Sequence, residues 1–489
     1  MAPFQLLSCS LLLVLGLTGD LYSGDDRPDA SAAKTAAIAT VDSHRDQLIE
    51  LNQSIWRFAE VGLQETKSSQ AIIAVLESAG FKVTKGVADL PTAFVASYGS
   101  GRPYIGILAE YDALPELSQD AVPERKPLVP GAPGHGCGHS GLGTAAVGAA
   151  IAVKEAMDKH KLPGTIRLYG TPAEETLIGK TYMLLAGQMK DLDACLHWHP
   201  SDKNQSAFLS SKAAVSVKFT FSGTAAHASS SPDQGRSALD GVELMNIGVN
   251  YMREHVKEDA RLHYVVTDGG GQPNVVPPRA QTWYYIRANK YEDVERYYDW
   301  VKDIAEAAAK MSRTKLQIQI ETDNHEILPN RPISELVQAN MERIGPPTFT
   351  ESEHAFARAL QQPLETEFKK KFDVPLRENL EPLPAQPDSE KGSTDVADVS
   401  WHVPTGGLKA VCFIADAPGH SWQNVATIGS PIGHKGTLFA AKVLAATAVD
   451  LLEDPKHLDA ARKDFDERMK DKKYTTLIPK GQKAPRSIR

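Results

Sequence analysis

The sequence predicts an α/β fold: a mostly parallel central sheet flanked by helices, interrupted by an inserted α+β unit. Two observations predict it. Short apolar runs alternate with helical stretches on both sides of the middle section, as helix-covered parallel sheets require. The middle section instead reads strand, helix, strand, strand, helix, strand, which is the ferredoxin-like split pattern.

The elements follow in chain order. Residues 4–19, "FQLLSCSLLLVLGLTG", form an apolar run with polar "DLYSGDDRPDA" after it and no Lys or Arg before it. The run is short for a membrane span, so residues 1–24 read as an export signal, with an uncleaved anchor as the alternative. Such a signal implies a periplasmic or secreted protein, with no membrane span in the mature chain. Two helical stretches lie within residues 42–80. "YIGILAEYD" reads as a buried strand, "GLGTAAVGAAIAVKEAM" as a small-residue helix, and "GTIRLYGTP" and "LDACLHWHP" as further strands. In the insertion, "AAVSVKFTFSG", "RLHYVVTDG", "AQTWYYIRA" and "KLQIQIET" read as strands. "GRSALDGVELMNIGVNYMREHV" and amphipathic "YEDVERYYDWVKDIAEAAAKM" are its helices. "ILPNRPISELVQANMERIG" returns to helix. Residues 346–392 read as a long polar surface excursion with one helical patch, "SEHAFARALQQ". "LKAVCFIAD" is a last strand and "HKGTLFAAKVLAATAVDLLE" a last buried helix. One layered domain therefore spans 41–209 and 324–455, the insertion spans 210–323, and a charged, solvated tail spans 456–489.

Composition narrows the functions. With 42% hydrophobic and 23% charged residues the chain can bury a large core. A net charge of −8 without a basic stripe points away from nucleic acid. Of four cysteines, Cys9 lies in the signal, which leaves Cys137, Cys195 and Cys412, an odd set that makes no disulfide framework.

Four clusters carry chemistry. "GAPGHGCGHSGLG" sets His135, Cys137 and His139 on a glycine scaffold, so that thiolate and imidazole can aim at one point. "TPAEET" puts Glu174 beside Glu175; neighbours on a strand point apart, so one can ligate a metal while the other acts as a base. "LHWHP" places His197 and His199 on one strand face, and "APGHSWQN" sets His420 just after a strand. "AEYD", "PAEE", "HWHP" and "APGH" each follow a strand-like run, and sites in open α/β sheets gather beyond the carboxyl ends of strands. A thiolate, a carboxylate and three imidazoles carry a charge of about −2 against about +4 for two divalent cations. The surplus would acidify a water and attract an anionic substrate. A thiol-protease reading, with Cys137 paired to a histidine, uses the same residues.

Taken together, "GHGCGH", "PAEE", "WHP", "GTAAHASSSPDQGRSALDGVELM", "PNVVP" and "STDVADVSW" resemble metallopeptidase family 20, the aminoacylase and carboxypeptidase amidohydrolases, across residues 41–452. The resemblance implies a zinc-peptidase-like domain holding two divalent metal ions, and a ferredoxin-like lid that dimerises. Zinc suits the soft thiolate, and manganese, cobalt or nickel could take the same ligands. The implied ligands are Cys137, His139, Glu175, His199 and His420, with His197 in place of His199 in some branches. Glu174 is the implied general base, and Asp112 orients a ligand from behind. His227 would stabilise the oxyanion, Asn274 would touch substrate, and Arg287 would pair with a substrate carboxylate. Arg236 has the same ambiguity between substrate and surface, while His135 and His434 are expected to be supporting residues. The implied reaction is hydrolysis of N-acyl or N-aroyl amino acids, with p-aminobenzoyl-glutamate the leading candidate. A dipeptidase, an indole-acetyl-amino-acid hydrolase and a non-catalytic metal- or partner-binding subunit are the alternatives. A homodimer, or a heteromer with a related subunit, is the implied assembly.

Overall fold

Alternating strands and helices in this chain build layers, because each helix must bury one stripe against a sheet. The structure is a computed structural model that describes residues 30–487; the expected signal lies outside these residues. The described residues begin with α1 (Ala32–Ser43), α2 (Arg45–Phe58) and α3 (Thr66–Ser78). It continues through β1 (Lys82–Lys85), β2 (Phe94–Ser100), β3 (Tyr104–Ala109), α4 (His139–His160), β4 (Gly164–Gly170) and α5 (Gly179–Leu185). Next come β5 (Ala194–Ser201), β6 (Gln205–Ser206) and β7 (Leu209–Ser210). The insertion is β8 (Ala213–Ser222), α6 (Ala238–Met252), β9 (Arg261–Asp268), β10 (Arg279–Ala288), α7 (Tyr291–Ser312) and β11 (Lys315–Asn324). After it come α8 (Arg331–Ile344), α9 (Glu351–Phe368), β12 (Asp388–Ser389) and α10 (Val396–Ser400). The last elements are β13 (Thr405–Val411), α11 (Trp422–Ile428), α12 (Pro431–Glu453) and α13 (Pro455–Met469).

The main sheet has seven strands in the order β1-β2-β4-β3-β5-β13-β6. Its centre, β4-β3-β5-β13, is parallel, and the outer ladders are antiparallel. The sheet is thus mixed rather than mostly parallel. The reason is connection length. Parallel neighbours need a crossover of about a dozen residues or more, such as α4 between β3 and β4, whereas β1 and β2 join through a short link and turn back on each other. Helices α4 and α12 are buried along most of their length, and α1 packs on both. Close packing needs small side chains: a Cβ on Gly148 would stand 2.8 Å from Leu48 and 3.3 Å from Ala441. The layered domain thus starts with α1 at Ala32, earlier than the sequence expectation.

The insertion's sheet runs β11-β8-β10-β9, antiparallel throughout. Helices α6 and α7 pack on each other and on its strands. Strand β10 alternates cleanly: Ala280, Thr282, Tyr284, Ile286 and Ala288 are buried, so Trp283, Tyr285 and Arg287 share the opposite face. No helix among the described residues is long and apolar enough to cross a membrane.

Two expectations need correction. Residues 346–392 are more than a surface excursion: α9 opens on a Thr350–Glu353 capping box and buries Ala357, Leu360 and Leu364 against Ile414 and Ile432. The tail is not merely solvated either. Helix α13 buries Ala461 and Phe465. Farther on, Leu477 and Ile478 join the insertion's core, the Gln482 amide donates to the Ile320 carbonyl at 2.7 Å, and the His325 imidazole bonds the Thr475 carbonyl at 2.8 Å. A few apolar residues suffice to dock a segment whose average composition is charged. Ile478→Ala is expected to cost about 2–4 kcal/mol in urea unfolding; an unchanged midpoint would mean that the packing of Ile478 contributes nothing.

Candidate metal centre

The glycine scaffold has a specific use. Gly138 stands between Cys137 and His139 at the start of α4, with φ of +81°, a region disfavoured for other residues. A Cβ there would also press on Pro200 and Phe413 at 2.9 Å. The turn brings Cys137 Sγ to 3.4 Å from His199 Nε2, while His139 enters the helix fully buried.

Glu174 and Glu175 lie in a 3-10 turn rather than at a strand end, bracketed by Ala173 (φ +56°) and Leu177 (φ +63°). Left-handed backbone at two non-glycine residues costs about 1–3 kcal/mol each, and surrounding contacts must hold it. One of these is the Ala173 N–H, which donates to Glu65 Oε1 at 2.8 Å. The tight turn lets both carboxylates reach His139: Glu174 Oε2 is 3.7 Å from Nε2 and Glu175 Oε1 is 4.0 Å from Nδ1. His420, itself left-handed at φ +58°, comes within 3.5 Å of Glu175 Oε2.

Behind the cluster, Asp112 accepts from His139 Nδ1 at 2.8 Å and from the Glu175 backbone N–H at 3.0 Å. Nδ1 therefore carries a proton, and Nε2 is the ring nitrogen that faces Glu110 and Glu174. A second buried network adjoins it. The Lys180 ammonium bonds Glu110 Oε1 at 2.7 Å and Asp395 Oδ1 at 2.6 Å, with all three side chains nearly or wholly buried. Burial works against charge on Glu110, yet Lys180 holds its carboxyl below the usual range. Glu174 goes the other way: burial, then the charge of Glu110, lifts it well above the carboxylate range. Burial lifts Glu175 to about 7 and pushes the Cys137 thiol up.

Three buried atoms in this cluster lack a hydrogen-bond partner among the described residues: Glu110 Oε2, His139 Nε2 and Glu175 Oε1. Leaving such an atom unmet costs about 1–3 kcal/mol, and a divalent cation would satisfy each of them. Three donor sets have ligand atoms within 4.8 Å of one another: Cys137–His139–His199, Cys137–Glu175–His420, and Glu110–His139–Glu174. Sulfur, imidazole nitrogen and carboxylate oxygen are the ligands that first-row divalent metals take. The residues fit a metal pair, with Cys137 common to two sets. A cavity of about 310 Å³ opens beside them, lined by Glu174, His199, Arg287, Glu390, Lys409 and others.

The fold thus brings Cys137, His139, Glu174, Glu175, His199 and His420 together, with Asp112 behind. His197 shares the cavity wall but enters none of the donor sets. Arg287 reaches the cavity from β10, with its Nη1 3.4 Å from Ser393 Oγ. His227 and Asn274 do not join the cluster within this chain: both are exposed, next to each other, with the Ala228 N–H donating to the Asn274 carbonyl. Arg236 bonds the Asp233 and Gly235 carbonyls. His135 bonds the Ile55 carbonyl, and His434 pairs with Gln53. Cys195 and Cys412 are buried free thiols. Sequence reasoning missed Glu110, Lys180, Asp395 and Lys409. Glu110 and Asp395 lie inside quoted motifs, and Lys409 is the lone charge in an apolar strand; Lys180 carries no local signal.

Fold and site together define a hydrolase of the metallopeptidase type, and the chain belongs to peptidase family M20/M25/M40, whose model matches residues 106–478. It is 38% identical over 462 residues to one of the subunits of the p-aminobenzoyl-glutamate hydrolase of Escherichia coli K12, covering 90% of this chain and 96% of that one. The Xaa-Arg dipeptidase of Mus musculus is 27% identical over 446 residues, 88% of this chain and 92% of its own. A dinuclear metal-binding M20 peptidase of Bacillus subtilis shares the fold with a TM-score of 0.55 at 17% identity, covering 84% of this chain and 99% of that one.

Proposed function

We propose that the protein hydrolyses the amide bond of N-acyl or N-aroyl amino acids at two divalent cations, with p-aminobenzoyl-glutamate the leading substrate. The observation that carries this is the pair of donor sets sharing Cys137, with the Glu174 carboxylate beside them. Cys137, His139 and His199 would hold one cation, and Cys137, Glu175 and His420 the other. Zinc suits this set best, and manganese, cobalt or nickel could take it. Bound cations supply Lewis acidity at the scissile carbonyl and acidify water.

The chain's own residues do the rest. Glu174 takes a proton from the attacking water and delivers it to the leaving nitrogen; the carboxylate form this needs would be favoured by cations held beside it, against the burial and Glu110 charge that lift it. Asp112 keeps His139 in the tautomer that leaves Nε2 free. Arg287, whose Nε has no hydrogen-bond partner among the described residues, pairs with the substrate's α-carboxylate. Arg287→Ala is expected to raise KM about 10–100-fold, the worth of a charged hydrogen bond; an unchanged KM would remove it from substrate binding.

The assembly we propose is a homodimer through the insertion, which carries His227 and Asn274 to the neighbouring site for the oxyanion and substrate contacts. Supporting it, Ile247, Tyr251, Val265 and Val266 of the insertion are all about half exposed or more, at 52%, 68%, 58% and 47%. The E. coli relative is named as one subunit of its hydrolase, and a heteromer with a related chain is the other possible assembly. Export by residues 4–19 completes the proposal and is checked by fractionation.

The test strips the protein with chelator, restores zinc, manganese, cobalt or nickel in turn, and screens N-acyl amino acids beside dipeptides and indole-acetyl conjugates. Metal-dependent turnover of an N-acyl amino acid is expected. Turnover of dipeptides alone would favour the dipeptidase reading, and activity surviving the chelator would revive the thiol-protease one.

A further inference from the structure

Strand β13 is buried and uncharged but for one residue, Lys409. In the parallel register it lies beside His199 of β5, so the two side chains leave the sheet on the same face. Lys409 therefore lines the same cavity as Glu174 and Arg287. Its side chain is only 19% exposed, and an ammonium so placed needs an anion. The anion in place is the Glu390 carboxylate, also on the cavity wall. Glu390 follows the two-residue strand β12 and is 41% exposed, and among the described residues its carboxylate makes no other hydrogen bond. This half of the pair faces solvent and is free to be replaced.

An N-acylated acidic amino acid carries two carboxylates, and the cavity offers two cations, Arg287 and Lys409. We propose that Lys409 reads the side-chain carboxylate of an N-acylated dicarboxylic amino acid, and that Glu390 is the competing anion which that carboxylate displaces. The inference rests on the amide-hydrolase function above, with Arg287 on the α-carboxylate. A neutral side chain leaves Lys409 to Glu390. A cationic one meets Lys409 as a like charge.

The experiment compares N-acyl-glutamate with N-acyl-glutamine, near-equal in shape but different by one charge, on the metal-loaded full chain. The quantity read is the ratio of their kcat/KM values. Lys409→Gln is expected to lower the ratio about 10–100-fold, mainly through the KM for the glutamate conjugate. Glu390→Gln is expected to raise it several-fold, and Lys409→Arg to retain the preference. Opposite signs are the signature, because a purely structural ion pair is broken equally by losing either partner. Should Lys409→Gln fail to fold, as its thermal midpoint would reveal, the rise in Glu390→Gln decides alone. Ratios that stay put or fall in Glu390→Gln overturn the proposal, as does a preference for N-acyl-arginine that Glu390→Gln abolishes. Equal wild-type efficiency on the glutamate and glutamine conjugates sinks this inference and leaves the amide hydrolase standing. No turnover of any N-acyl amino acid sinks both.

Discussion

Glu174→Gln is expected to lower kcat by about 10²–10⁴-fold while leaving the metal content at its wild-type level. That range is what a positioned acid–base group contributes. Glutamine keeps the shape of the side chain but cannot take the water's proton. Glu174 is nearly buried, and the amide fills the same space without bringing a charge, so the substitution adds little strain. Metal analysis beside steady-state kinetics separates two roles. Loss of metal with loss of rate would make Glu174 a ligand through the Glu110–His139–Glu174 set. Full turnover with full metal would remove the proposed base.

Cys137→Ser should have the second largest effect, and on a different readout. Cys137 belongs to two of the three donor sets, so losing its sulfur weakens both cation sites at once. A serine hydroxyl does not ionise near neutrality and is a poor substitute for a thiolate. Bound metal is expected to fall from two per chain to less than one in equilibrium dialysis, with activity falling in parallel. Replacing the metal with cobalt sharpens the test, because a thiolate ligand gives a charge-transfer absorption that the serine variant must lack. Two metals per chain in Cys137→Ser would break the shared-thiolate geometry. Rate loss without metal loss, in a protein indifferent to chelators, would instead make Cys137 a nucleophile.

Much of this site was legible in the chain. Cys137 and His139 stand two apart around Gly138, whose left-handed backbone turns both inward. His197 and His199 share a strand face because strand side chains alternate with a period of two. The insertion's strand order followed from its element order, and β10 buries every second residue. The Glu174–Glu175 pair was found, but its backbone was not. A strand would have turned one carboxylate away, whereas the 3-10 turn held by Glu65 admits both. The docked tail was missed for a related reason: average charge says little about where Leu477 and Ile478 go.

The sequence by itself determined which donors exist and that several of the clusters lie at strand ends, because local spacing sets direction and strand ends gather on one side of a parallel sheet. Only the tertiary structure decided which of them meet. It took Lys180 to Asp395 across 215 positions, set Lys409 beside His199 through a strand pairing, and kept His227 and Asn274 out of this chain's cluster. Such meetings depend on burial and long-range register, where an unpaired charge is costly and a distant partner removes the cost. No window of neighbouring residues contains that information.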